Sequence, residues 1–239
     1  MARILLIETS TAALSVALAV DGAVVSERVC MEPRRQASLT AVLVKEVLDE
    51  AGLAVRDCDA ICVSAGPGSY TGLRVGVSTA KGLAFGASRP LISVGTLDIL
   101  VQGARCPVGT GHDEGVIAGS DRPSYIVPMI DARRMEVYTA VFDADGHRLT
   151  PIEAVVVNAD SFAKYMEGGE VLFVGDGAEK CREVLAHPRA RFASAHPMAR
   201  DMAVLAQAAF DAGRFENLAY FEPFYLKDFV ATVSRKALW

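Results

Sequence analysis

The sequence predicts an α/β fold built from two similar halves, and three observations carry that prediction. Apolar runs of strand length ending in an acid occur twice, at residues 3–8 and 125–131. Each is followed by an Asp-Gly hairpin signal, Asp21-Gly22 in one half and Asp145-Gly146 in the other, at nearly equal separations from the acids Glu8 and Asp131. Each half later carries an apolar strand that runs into a glycine turn, at residues 61–68 and 171–177. The order reads as a duplicated β-β-β-α-β-α unit.

In the first half, strands are predicted at residues 3–8, 14–20 and 23–30, with Asp21-Gly22 closing the last two. The period then changes. Over residues 38–51, Leu39, Val42, Leu43 and Val47 recur at helical spacing, Val44 and Leu48 widen the apolar face, and Gly52 stops the helix. Residues 60–64 form an apolar strand of the kind covered on both faces of a sheet. That strand passes through Gly66-Pro67-Gly68 into a helix from about residue 70 to 85, capped by Ser69 or Thr71.

In the second half, strands at residues 125–131, 136–143 and about 152–157 precede the one at 171–174. Residues 103–124 are rich in Gly, Pro and charge and read as an inserted, exposed loop. A last helix is predicted over residues 198–212, with Met202, Leu205, Ala209 and Phe210 on a shared face. The aromatics beyond it, Tyr220, Phe221, Phe224, Tyr225, Phe229 and Trp239, must pack on the body or on a partner. The expected division is a first lobe at residues 1–101, a second at 102–214 and an aromatic tail at 215–239.

The helix after the glycine turn is the most informative element. Gly72, Gly76 and Ala80 recur every four residues, so one stripe has almost no side chain. Each glycine costs about 1 kcal/mol against alanine, and something must offset it. Bare amides at the helix start can cradle a phosphate, or a bare stripe can let another helix approach closely. Plain packing of the turn against its own sheet is the third reading. The spacing is neither a Walker loop nor Gly-x-Gly-x-x-Gly opening from the first strand.

Composition narrows the function classes. With 51% hydrophobic residues, the chain can bury one large core or two modest ones, and nothing suggests disorder. A net charge of −5 is not the basic field of a protein that holds nucleic acid alone, so a role on RNA needs a partner. Five cysteines without a Cys-x-x-Cys pair suit a reducing compartment, and Cys58 and Cys62 have no third ligand nearby to make a metal site. No apolar stretch is long enough to span a bilayer, and Met1-Ala2-Arg3 leads into a strand without a signal-peptide pattern. The expectation is a cytoplasmic protein with no membrane association.

Three segments together resemble a known family. Ile7-Glu8-Thr9-Ser10, the whole run of residues 64–76, and Ile130-Asp131-Ala132-Arg133-Arg134 with Glu136-Val137-Tyr138 are similar to the TsaB family of tRNA threonylcarbamoyladenosine biosynthesis proteins. Residues 225–231 resemble that family's end, and residues 103–124 stand outside the resemblance. The resemblance implies two ribonuclease H-like lobes of the actin, sugar kinase and heat-shock chaperone superfamily. It also implies a part in making threonylcarbamoyladenosine at position 37 of tRNAs that read codons beginning with adenine. TsaB is the non-catalytic member, paired with its paralogue TsaD, which carries the metal site and transfers the threonylcarbamoyl group; TsaE supplies an ATPase activity.

The residues agree with a non-catalytic role. The catalytic paralogue places two histidines four apart at the start of the helix after the third strand, where this chain reads Arg34-Arg35-Gln36-Ala37-Ser38-Leu39. His112, His147, His187 and His196 are scattered over loops and turns. The turn Glu8-Thr9-Ser10-Thr11-Ala12 has no glycine to let its backbone approach a phosphate. No catalytic and no metal-binding residue is therefore expected, with no cofactor held by the chain alone and ATP or ADP reserved for the assembled complex.

Partner contacts with TsaD are expected at Leu39, Val42 and Leu43 of the first helix and at Ser69, Tyr70, Thr71, Gly72, Leu73, Arg74, Gly76, Val77, Ala80 and Lys81 of the second. The same face is expected to pair two copies when the chain is isolated, and tRNA is met only through the complex with TsaD and TsaE. Arg133 and Arg134 are candidates for a nucleotide or RNA phosphate, with ordinary hairpin-tip charge as the alternative. The rival function is an autonomous enzyme, an ATP-dependent kinase or metallopeptidase-like member of the superfamily.

Overall fold

The structure is a computed structural model and describes residues 1–105 and 122–227. Strands β1 (Arg3–Glu8), β2 (Leu14–Val20) and β3 (Ala23–Cys30) form an antiparallel meander. Asp21 and Gly22 both take positive φ, as the tight hairpin between β2 and β3 requires. Helix α1 (Gln36–Glu50) leads to β4 (Ala60–Gly66), which pairs parallel with β1. Helix α2 (Tyr70–Ala87) then leads to β5 (Leu91–Gly95), parallel with β4, giving the order β3-β2-β1-β4-β5.

The connectivity repeats after α3 (Thr96–Arg105). Strand β6 (Tyr125–Asp131) takes the place of β1, with β7 (Glu136–Thr139) and β9 (Glu153–Val156) antiparallel on one side. The short β8 (Phe142–Asp143) pairs with the start of β6. After α4 (Ala163–Gly168), β10 (Val171–Val174) and β11 (Ala190–Ala193) lie parallel on the other side, and α5 (Ala203–Asp211) is the last helix or strand among the described residues. The second order, β11-β10-β6-β7-β9, is the first one again, so the molecule has two ribonuclease H-like sheets.

Burial explains the sequence patterns. Ile4, Leu5, Leu6 and Ile7 are all buried because β1 sits mid-sheet with both faces covered. On one face, Leu43, Val44, Val47 and Leu48 of α1 and Val77, Ala80 and Ala84 of α2 pack on Leu5, Ile7, Ile61 and Val63. On the other, Ala203, Ala206 and Ala209 of α5 lie against Ile4, Leu6, Ala17 and Cys62. The last helix therefore belongs with the first sheet and not with the expected second lobe, because its alanine face matches the small residues it covers.

Conversely, Leu97, Leu100, Val101 and Ala104 of α3 fill the face of the second sheet beside Ile126, Ile130, Leu172 and Val174, so the expected boundary at residue 101 cuts through a helix. Two element bounds also differ. The strand expected over residues 136–143 breaks between β7 and β8, where the Val141 N–H bonds to Thr150 Oγ1 instead of a neighbouring strand. Helix α5 starts later than residue 198, since Ala199–Met202 forms a 3-10 turn whose first N–H is held by Ser15 Oγ at 2.8 Å.

Residues 106–121 of the expected insertion, with His112, lie outside the described residues, as do Phe229 and Trp239. Among the described residues no helix is long and apolar enough to cross a membrane.

Candidate functional site

Strand β4 runs into α2 through a joint built around residues 66–69. Gly66 takes φ +106, a left-handed value, and a side chain there would also strike the Phe224 carbonyl, 2.7 Å from a Cβ. The Gly66-Pro67 peptide is cis. Ser69 caps α2 by accepting the Gly72 N–H at 3.3 Å. Across the start of this helix lies the turn between β1 and β2. The Ser69 N–H donates to the Ser10 carbonyl at 2.6 Å, and Thr9 Oγ1 donates to the Gly72 carbonyl at 2.8 Å.

That turn occupies the bare stripe. A Cβ on Gly72 would sit 2.1 Å from the Thr9 carbonyl oxygen, one on Gly76 2.1 Å from Thr9 Oγ1, and one on Gly68 2.4 Å from the Ser10 carbonyl oxygen. The ridge is therefore covered inside its own chain. This corrects the expected partner surface: Gly72, Leu73, Gly76, Val77 and Ala80 are buried, and so is Leu43 of α1. The close approach is real, but the neighbour is the chain's own turn, 63 positions away in sequence. Amides that could cradle a phosphate are likewise engaged inside the chain: the Ser10 N–H by Glu8 Oε1 at 2.5 Å, the Ser69 N–H by the Ser10 carbonyl and the Gly72 N–H by Ser69 Oγ.

Other expected contact residues have different employment. Lys81 donates to the carbonyls of Phe221 at 3.0 Å and Ala219 at 3.4 Å, so it anchors the chain's own tail rather than facing a partner's acid. The Phe224 N–H donates to the Ala65 carbonyl at 2.7 Å, and the Tyr225 ring lies 4.9 Å from Tyr70. Arg74 rests over the Tyr70 ring at 4.9 Å. Leu39 is half-buried, whereas Val42 is 45% exposed.

What α2 presents outward is a second strip: Thr71, Arg74, Ser78, Gly82, Phe85 and Gly86. Phe85 is 78% exposed, and a Cβ on Gly82 or Gly86 would meet nothing within 4 Å. The sequence reading named the stripe at 72, 76 and 80 and passed over the one at 78, 82 and 86. Their residue types carried the same signal.

Beneath the joint sits the acid that ends β1. Glu8 is fully buried, and removal from water pushes its carboxyl up to about 7. Oε1 accepts the Ser10 N–H, while Oε2 has no hydrogen-bond partner. The hydroxyls of Ser10 and Ser64 lie near enough to favour the charged form, yet neither makes a well-formed hydrogen bond. Burial wins, so the carboxyl holds its proton up to near neutral pH. With Thr9, Ser10 and Thr11 buried above it, this acid is sealed from substrate.

The corresponding acid of the second sheet, Asp131, is exposed at the end of β6. Asp131 pairs with Lys180, which also donates to the Glu136 carbonyl at 2.7 Å. Asp176 Oδ1 accepts the Asp131 N–H at 2.9 Å, and burial raises its own carboxyl. His196 Nδ1 lies 4.0 Å from Asp176 Oδ2 and 3.4 Å from Thr11 Oγ1, linking the turn after β10 to the turn after β1, a contact the sequence reading missed. Arg133 and Arg134 are exposed at the tip of the β6–β7 hairpin. Among the described residues no group of three or more His, Cys, Asp or Glu is placed to hold a metal.

The comparisons with known proteins decide the family. The tRNA threonylcarbamoyladenosine biosynthesis protein TsaB of Escherichia coli (strain K12) is 32% identical over 96% of this chain and 96% of its own length. The chain belongs to the TsaB family. YeaZ from Pseudomonas aeruginosa, a solved structure, superposes with a TM-score of 0.79 at 28% identity, covering 95% of this chain and 100% of that one.

A family model described as TsaD, tRNA N6-adenosine threonylcarbamoyltransferase, also matches residues 33–234. A tRNA N6-adenosine threonylcarbamoyltransferase of Maricaulis maris (strain MCS10) shares 52% identity over 56 residues, 23% of this chain but only 15% of that enzyme. The TsaB family and the transferase thus share a common stretch, and the full-length match is to TsaB.

Proposed function

We propose that this chain is the non-catalytic subunit of the machinery that makes threonylcarbamoyladenosine in tRNA, binding and supporting the threonylcarbamoyltransferase TsaD. The observation that carries this reading is the sealed strand-end acid. In a working member of the superfamily the first turn must open to a phosphate; here Thr9 and Ser10 are locked onto Gly72, Gly76 and Ser69. Membership of the TsaB family supports the pathway assignment, and the stretch shared with transferases supports a paralogous pair.

The partner surface is the outer strip of α2 around Ser78, Gly82, Phe85 and Gly86, with Val42 of α1 beside it. Its open glycines allow a second helix to approach within the usual 8–10 Å or closer. An isolated chain pairs two copies of the same face, and TsaD displaces the second copy. TsaE, ATP or ADP, and tRNA join only at the assembled complex, in the cytoplasm.

The test is co-purification with TsaD. Gly82→Leu fills open space and leaves the fold intact by circular dichroism, and it is expected to abolish the complex. Phe85→Glu removes the exposed ring and is expected to weaken it at least tenfold. Unchanged complex formation by both folded variants would sink the assignment of this face.

A further inference from the structure

The β6–β7 hairpin carries two consecutive arginines in an unusual conformation. Arg133 has φ 71 and Arg134 has φ 51, both in the left-handed region where Gly or Asn is ordinarily found. The turn is exposed, and the Arg133 N–H is tied down to Asp131 Oδ1 at 2.8 Å. Packing therefore gives no reason for long side chains at these two positions. Backbone strain kept in an open turn calls for a return elsewhere.

The charges around the hairpin supply one. The carboxylates of this region are engaged elsewhere: Asp131 pairs with Lys180, Glu136 pairs with Lys227, and Asp176 lies 4.0 Å from the His196 ring. Neither the Arg133 nor the Arg134 guanidinium pairs with a carboxylate among the described residues. The hairpin tip thus carries two uncommitted guanidinium groups on a chain whose net charge is −5. Guanidinium forks match phosphate oxygens in geometry and charge.

We infer that the Arg133-Arg134 turn is a phosphodiester contact for the tRNA held by the complex with TsaD. This rests on the partner reading above, since an acidic chain alone lacks the field to hold RNA. The ligand is the sugar-phosphate backbone, read without sequence preference. The two arginines supply positioning and are not catalytic.

The experiment uses the assembled complex with TsaD and an unmodified tRNA transcript, comparing Arg133→Gly/Arg134→Gly with Arg133→Lys/Arg134→Lys. Relieving the left-handed strain should raise the isolated chain's Tm by about 2–4 °C. The same glycine variant should weaken tRNA binding about tenfold and lower the steepness of log affinity against log salt by about 1.4–1.8, the share of two phosphate contacts. The lysine variant should keep most of the affinity and the full salt slope.

Unchanged affinity and salt slope in the glycine variant would overturn the inference, as would loss of ATP binding by the complex with tRNA binding intact. If native chain and TsaD form no complex at all, the partner reading fails and takes this one with it. A complex that forms and binds tRNA regardless of the turn sinks this inference alone.

Discussion

Helix α2 carries two pairs of glycines with the same internal spacing and opposite fates. Gly72 and Gly76 press against Thr9, whereas Gly82 and Gly86 face open space. The pairs are only roughly 80° apart around the helix axis, given about 100° per residue. The inner pair is required by the chain's own fold, because any side chain would collide with the β1–β2 turn. The outer pair lowers helix propensity by about 1 kcal/mol per residue with no contact among the described residues to offset it. Small residues therefore report where something comes close. Only the outer pair leaves that something to be another molecule.

The sharpest way to break this comparison is to add one methyl group to each pair. Gly72→Ala or Gly76→Ala is expected to destabilise the chain by about 3 kcal/mol or more, or to prevent folding, since backbone and a buried hydroxyl must move. Gly76→Leu, which would be harmless on an outer face, should not fold. Urea denaturation measures both, and a loss under 1 kcal/mol for Gly76→Ala would mean that the inner seam is loose.

Next in size is the acid under that seam. An unfolded glutamate ionises near 4.5, while folded Glu8 holds its proton to about 7. Below pH 4.5 both states are protonated and nothing is lost. Between those values the native state keeps a proton that the unfolded state has released, so stability falls as pH rises, by up to about 3 kcal/mol above pH 7. Glu8→Gln removes that penalty. The gap in unfolding free energy between variant and parent should widen in the variant's favour from pH 5 to pH 8. A constant gap would show that the carboxyl is ionised and paired throughout.

The smallest effect belongs to the outer pair. Gly82→Ala should stabilise the monomer, at dilutions where paired copies have separated, by about 0.5–1 kcal/mol, through helix propensity and a less flexible unfolded state. A loss instead would mean that this face is already in close contact in solution, which sedimentation of the same variant would reveal.

Much of the architecture was legible because local chemistry and the final fold agree. Strands β1, β2 and β3 fall on the runs that end in Glu8 and flank Asp21-Gly22, and the repeat read from Asp131 and Asp145-Gly146 is present in the second sheet's order. Helix α1 was placed by its apolar period, and only its start at Gln36 was missed. That residue is buried because its amide holds the carbonyls of Thr11 and Ala12, a tertiary contact with no local signature.

The stripe at 72, 76 and 80 was found and its neighbour misassigned. Period gives a face its direction but not its occupant, and Thr9 arrives from far along the chain. The same limit hid the exchange of α3 and α5 between sheets. An alanine face such as Ala203, Ala206 and Ala209 fits any surface of small residues. Lys81, expected at the partner surface, holds backbone carbonyls of a segment no periodicity could place.

The exchange of helices bears on synthesis at the ribosome. The helix that shields Ile4, Leu6 and Cys62, at Ala203–Asp211, is translated long after them, and the strap that clasps Ala65 follows it. The first sheet thus leaves the exit tunnel with one oily side unshielded and cannot mature until α5 has emerged. A product that stops short of α5 would keep that side bare, the kind of surface that invites aggregation.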